Sequence, residues 1–408
     1  MTDHTNYAKA AERLHYWDTV RGFLMVLGVP YHAALIYNPG ANWSVASPQT
    51  SMALGAFSDT VHVIRMPAFY VVAGFFAALL LQRRDARTWL KGRFIKLGLP
   101  LLVCIVTLNP LQAVMSTIGH IIIGGDAAQE ANYTLNQMSG PSALWIRHLW
   151  FLTVLLYYCM IASVAVIIFP RLKNWEFSQE IGKLGVRKYL FVVAVAISAY
   201  QVVSQYLIVR SGLQSGIEKD ILDIPKAFAF APYFALGFIA ERSRHVLQYS
   251  ASDRWITGFL GVLFLILTLV FQDRGPHSIV VVSATLCSIT STLAIVGIAQ
   301  VHFNRGSDWV RRLVGASFVI YLFHMPIVTL FGTLFISVDL PPVLEWLMIT
   351  ALALAGSYGL SGPITRSLWA NAAFNGELPK PNHSRRPVAA NGVPLHSRAG
   401  TCHEHEGQ

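Results

Sequence analysis

Ten apolar runs divide this chain, and nearly all of its charge is confined to the segments between them. The runs cover 17–37, 57–82, 94–118, 148–169, 188–208, 227–241, 255–271, 278–302, 313–337 and 343–363. A helix needs about 20 consecutive apolar residues to cross the hydrocarbon core of a bilayer. The pattern therefore predicts an all-α integral membrane protein of about ten transmembrane helices. Composition agrees. Charged residues make up 13% of the 408 positions and hydrophobic residues 54%, against about 25% charged in an ordinary soluble domain. That balance excludes a typical cytosolic enzyme and a disordered chain. The run 227–241 is short and contains Pro232, so it is expected to be tilted, kinked or buried by its neighbours.

Charge sets the orientation. With the N-terminus inside, 25 of the 31 Lys and Arg residues fall on the inner side. Five fall outside (Arg147, Arg210, Lys219, Lys226 and Arg274), and Arg65 alone lies in the middle part of a run. This asymmetry follows the positive-inside rule. It predicts an even number of spans with both termini cytoplasmic in a multi-pass protein of the bacterial inner membrane. The layout is then a cytoplasmic segment 1–16, a membrane domain 17–363 and a cytoplasmic tail 364–408.

The net charge of +10 does not point to nucleic acid, because the basic residues sit in small groups between apolar runs. The inner loop 83–96 concentrates them and suits anionic lipid headgroups. The polar first fourteen residues lead into a run with no small-residue cleavage site, so no cleavable signal peptide is expected. The tail is rich in Pro, Asn, Ser, Arg and His, lacks apolar periodicity, and is expected to be disordered. Its His403-Glu404-His405 reads as a polar terminus rather than a metal site. No metal, nucleotide or nucleophile-elbow motif is present. Cys104, Cys159, Cys287 and Cys402 imply no disulfide framework.

Chemistry concentrates in a few spans. The first run holds Asp18, Arg21 and His32. Eleven positions of α-helix are three turns plus about 20°, which puts Arg21 and His32 on one face about 16 Å apart. Asp18, one turn before Arg21, can orient it, and Pro30 predicts a bend just before His32. A neutral imidazole can act as general base, although a lone buried His is equally well a satisfied core residue. In the second run Asp59, His62 and Met66 share a face with Arg65 beside it. Arg65 is either a structural ion pair with Asp59 or Glu345, or a clamp for a substrate carboxylate. Arg93 and Lys96, one turn apart before the third run, can hold phosphates. His148 lies among interfacial aromatics, and His324 lies deep in the ninth run two residues before Pro326.

These residues resemble the membrane acyltransferase-3 family. That family begins its first helix with Asp-x-x-Arg-Gly and places a His eleven positions after the Arg, matched here by Asp18, Arg21, Gly22 and His32. It also has an Arg-x-x-Arg pair before the third helix, where this chain has Arg93-Phe94-Ile95-Lys96 and so a Lys in the second position. Lys cannot grip an anion bidentately as Arg does. The stretches WDTVRGFLMVLGVPYHAALIY, IRMPAFYVVAGFF, RHLWFLTVLL and GASFVIYLFHMPIVTLFG carry the likeness. It is greatest to the branch that succinylates osmoregulated periplasmic glucans.

The resemblance implies a ten-helix inner-membrane enzyme that moves an acyl group across the bilayer to a periplasmic glucan. The implied donor is succinyl-CoA, bound from the cytoplasmic side, with no resident cofactor. On this reading His32 is the base, Asp18 orients its neighbours, and Arg21, Arg93 and Lys96 hold the donor. Arg65 selects the succinyl carboxylate, and His62, His148 and His324 line the substrate cavity. Two other readings stand beside it. One is an O-acetyltransferase of another surface polysaccharide. The other is an exporter or proton-coupled transporter in which His32 and Asp59 relay protons.

Overall fold

Helices that are apolar nearly all round must bury against one another or against lipid, and the computed structural model of the chain is built this way. It describes residues 15–378, apart from 42, 176–180, 182 and 273 and the side chain of Arg244. Cys402 and His403-Glu404-His405 lie outside the described residues.

Sixteen helices set the frame. In chain order they are α1 (His15–Val26), α2 (Gly28–Ala34), α3 (Met52–Arg83), α4 (Ala86–Arg93), α5 (Leu99–Val106), α6 (Leu108–Ile122), α7 (Ala127–Ser139) and α8 (Trp150–Ile168). There follow α9 (Val186–Arg210), α10 (Ile224–Glu241), α11 (Arg244–Ser252), α12 (Arg254–Phe271), α13 (His277–His302), α14 (Asp308–Phe335), α15 (Pro342–Arg366) and α16 (Leu368–Asn375). Nine helical stretches among the described residues are long and apolar enough to cross a membrane. They match nine of the ten expected spans. The tenth, expected at 227–241, is α10, an 18-residue helix packed along α3.

Burial sorts the helices. The windows of α3 and α14 are each 67% buried, whereas those of α12 and α15 are 17% and 22% buried. The site described below is therefore carried by the innermost helices. Trp17 of α1 stacks on Phe75 of α3 with ring centroids 4.1 Å apart, which fixes the first helix against the central one.

Proline interrupts these helices where function-bearing residues lie. Proline has no N–H, so the carbonyl four residues earlier loses its helical donor. In lipid that carbonyl must find another. Pro67 frees the Val63 carbonyl, and the Ser288 hydroxyl of α13 reaches it at 2.8 Å. Pro232 frees the Phe228 carbonyl, and the Tyr200 hydroxyl of α9 donates to it at 3.0 Å. The first span is interrupted at Leu27, three residues before Pro30 rather than just before His32, and the Trp346 indole donates to Pro30's own carbonyl at 2.9 Å.

A prediction follows for the α9–α10 pair. Tyr200→Phe should lower stability by about 1 kcal/mol, the scale of interhelical polar contacts in membrane proteins. Thermal unfolding in detergent would measure it. In a Pro232→Ala background, where the helical N–H returns, the same change should cost nothing.

One expectation fails at the C-terminal side. The chain does not lose structure at 364. Helix α15 continues to Arg366, and α16 follows at once with the Ser367 hydroxyl accepting from the Ala370 amide at 3.3 Å. Leu368, Trp369 and Phe374 supply apolar surface within a segment whose average composition is polar, and α16 packs on α5.

Candidate active site

Three histidines from three distant spans meet inside the helix bundle. His32 comes from α2, His148 from the turn before α8, and His324 from α14. They are 8%, 6% and 2% exposed. The His32 and His324 ring centroids are 5.2 Å apart, and those of His148 and His324 are 5.8 Å apart. His324 Nδ1 donates to the Ile320 carbonyl at 3.0 Å, which fixes the proton on that nitrogen and leaves Nε2 as the acceptor in the neutral ring. Among the described residues, His324 Nε2, His32 Nδ1 and both ring nitrogens of His148 have no hydrogen-bond partner. A satisfied core histidine would have its nitrogens paired. The unpaired nitrogens favour the functional reading of His32 over the core one.

Aromatic rings hold the cluster. Trp43 stacks on His32 at 5.4 Å and 17°. The Tyr31 ring lies 4.7 Å from His32, and its hydroxyl bonds His62 Nδ1 at 3.1 Å. Tyr321, one turn before His324, donates its hydroxyl to the His148 carbonyl at 2.8 Å. Arg147, immediately before His148, has φ of 45°. That left-handed backbone costs a non-glycine residue about 1–3 kcal/mol and is commonest at functional sites.

Arg65 adjoins the cluster from α3. It is 8% exposed, and its guanidinium carbon lies 4.9 Å from the Tyr31 ring centroid. Gly28 leaves it room, since a Cβ at that position would fall 2.5 Å from Nη1. The ion pair with Asp59 or Glu345 considered from sequence is not formed, and among the described residues Arg65 has no carboxylate partner. A buried guanidinium without its own counter-charge is a ready place for a ligand anion.

Two cavities lie near the cluster. The first, about 700 Å³, is lined by Arg21, Trp89, Arg93, Lys96, Phe151 and Glu377 among others. Arg21 is held 3.6 Å from Asp18 and lies over the Phe76 ring, so Asp18 and Arg21 belong to this cavity rather than to the histidine cluster. Arg93 precedes, and Lys96 lies within, a widened π-type turn at Phe94–Gly98, a distortion that recurs at functional sites. Lys96 Nζ donates to Glu377 at 2.9 Å, which holds that carboxyl below the usual range.

The second cavity, about 620 Å³, is lined by His62, Trp150, Gln205, Lys226, Phe230 and His277 among others. Trp150 and Phe230 stack at 5.6 Å, Lys226 lies over Trp150, and His277 Nε2 donates to Gln205 at 2.8 Å. Lys226 also pairs with Asp223, whose carboxyl burial raises against that pull. Flat aromatic faces beside polar groups suit a sugar ring.

The two cavities share no lining residue. Between them runs a chain of ring contacts. Phe151, from the first cavity, lies 5.8 Å from Tyr321, and Tyr321 lies 5.8 Å and 6.1 Å from His148 and His324. His324 meets His32, His32 meets Tyr31, and Tyr31 is bonded to His62 in the second cavity. Of the nine residues singled out from sequence, eight thus fall at or beside the cluster or line one of the two cavities, and Asp18 is linked to the first cavity through Arg21. Tyr31, Trp43, Tyr321, Lys226, His277 and Glu377 were missed. Helical spacing alone would have put Tyr321 on the face of His324.

A buried histidine cluster linked by ring contacts to two cavities, one of them lined by Arg21, Arg93 and Lys96, suits a membrane group-transfer enzyme. The chain belongs to the acyltransferase-3 family, whose acyltransferase-domain profile matches residues 14–362. It is 30% identical over 336 residues to "Glucans biosynthesis protein C" of Escherichia coli O1:K1 / APEC, covering 79% of this chain and 84% of that protein. The same figures hold for the protein of E. coli O45:K1 strain S88. Identity is 29% to the protein of that name from E. coli K12. No solved structure matches this chain.

Proposed function

We propose that this protein transfers a succinyl group from succinyl-CoA, held on the cytoplasmic side of the bacterial inner membrane, to hydroxyls of a periplasmic glucan. The observation that carries the reading is Arg65, a buried cation beside buried histidines and against the Tyr31 ring, with no carboxylate partner among the described residues. An acetyl group has no use for such a cation, whereas the free carboxylate of a succinyl group matches it bidentately. The glucan acceptor is inferred from the name of the E. coli relatives.

The residues divide the work. Arg21, steadied by Asp18, acts with Arg93 and Lys96 to bind the phosphates of the donor. With the inner side assigned by charge, both termini are cytoplasmic and the basic cavity faces the cytoplasm. The glucan hydroxyl enters from the cavity lined by Trp150 and His62. His32 takes its proton as the oxygen attacks the thioester carbonyl. The C–S bond then breaks, and the proton passes through His324 or His148 to the departing thiolate, which leaves as free thiol. No net proton is released, which is why a closed relay of imidazoles suffices. The basic loop 83–96 contacts anionic lipid.

Mass spectrometry of periplasmic glucans tests this reading. A strain lacking the protein is expected to lose succinyl substituents, and the wild-type protein to restore them. Glucans that are identical with and without the protein would refute the acceptor assignment.

A further inference from the structure

The short segment after the last membrane helix closes over the donor cavity. Helix α16 is tied down by Phe374, whose ring lies 5.0 Å from Phe323 of α14. It ends at Gly376, in left-handed backbone with φ of 60° and its amide bonded to the Ala372 carbonyl at 3.0 Å. Gly376 passes directly against the π-type turn. A Cβ there would lie 2.4 Å from the Ile95 carbonyl oxygen and 2.6 Å from Lys96 Cα, so only glycine permits this approach.

The crossing delivers Glu377 to the cavity. One carboxylate oxygen accepts from Lys96 Nζ at 2.9 Å, and the other accepts from Asn371 Nδ2 at 3.2 Å. Asn375, Glu377 and Lys96 all line the basic cavity. A carboxylate held at both oxygens thus occupies the cation that the donor reading gives to a phosphate.

We propose that Glu377 is a built-in competitor for the donor site, which an entering coenzyme A phosphate must displace from Lys96. This rests on the donor cavity assigned above. Affinity for the anionic donor is held down by an internal anion, and loss of the product coenzyme A is eased when Glu377 returns. Unbound Lys96 is kept in place at the cavity wall, so the site is ordered before the donor arrives.

The test is binding of coenzyme A itself to the purified full-length protein in detergent, by isothermal titration calorimetry. Glu377→Gln keeps the shape and the Asn371 contact while removing the charge. Because the pair is partly exposed, coenzyme A should bind about two- to five-fold more tightly to this variant, the range of exposed ion pairs. In a Lys96→Gln background the same change should have no effect. Affinity that is unchanged or weakened by Glu377→Gln would overturn the proposal. So would equal tightening in both backgrounds, which would mean that the charge acts without Lys96. If coenzyme A binds to none of the proteins, the donor-cavity reading fails and the competitor proposal falls with it. Thermal unfolding of each variant separates misfolding from lost binding, and Glu377→Ala gives a second variant should Gln distort the turn.

Discussion

Replacing His32 by alanine is expected to reduce acyl transfer by about 10²–10⁴-fold, the usual contribution of a positioned general base. The protein should still insert, with a stability loss limited to the ring packing on Trp43 and Tyr31, because His32 Nδ1 has no hydrogen bond to lose among the described residues. Release of free coenzyme A from succinyl-CoA by purified protein, with glucan present, measures the effect. Groups that act as a unit are strongly non-additive. His324→Ala added to His32→Ala should therefore cost little more. Wild-type turnover by His32→Ala would refute the role of the base. Full independence of the two substitutions would refute a shared proton path.

Arg65→Gln is expected to separate donors. Removing one partner of a buried, hydrogen-bonded charge pair costs about 2–5 kcal/mol, or about 30-fold to several thousand-fold in rate at 1.4 kcal/mol per decade. That loss should fall on succinyl transfer, with acetyl transfer from acetyl-CoA nearly untouched. Gly28→Ala should act in the same direction, because its methyl group would occupy the space of Nη1. A structural role makes the opposite forecast for stability. Arg65 buries a charge with no carboxylate partner among the described residues, so Arg65→Gln should raise the unfolding temperature of the donor-free protein. Equal loss with both donors, or a destabilised protein, would place Arg65 in the scaffold instead of the specificity site.

The parts of this molecule that were legible in sequence are those written within one segment. Hydropathy located nine spans and the tenth helix, because a bilayer-crossing helix must be apolar over its whole length. His32 and His324 stood out because an ionisable group deep in an apolar run is costly. That they meet each other and His148 was not legible, since 116 to 292 residues of chain separate them and only helix packing brings them together. His148 looked interfacial because its neighbours are Trp145 and Trp150, yet the left-handed bend at Arg147 accompanies its burial. Glu377 was hidden by averaging. Eight helix-forming residues with Leu368, Trp369 and Phe374 were read together with a long polar stretch, and their own amphipathic pattern was lost.

The chain of rings between the two cavities has an electrical consequence under the proposed function. Solvent filling the two cavities would reach Phe151 in one and His62 in the other, with the rings of Tyr321, His324, His32 and Tyr31 linking them. A membrane voltage would then act in part across those rings. One elementary charge crossing 100 mV gains about 2.3 kcal/mol. In the proposed orientation, the carboxylate of a succinyl group moves outward, down the gradient set by a negative interior. On the proposed function, a membrane potential would thus favour succinyl transfer, and a neutral acetyl group would feel no such pull.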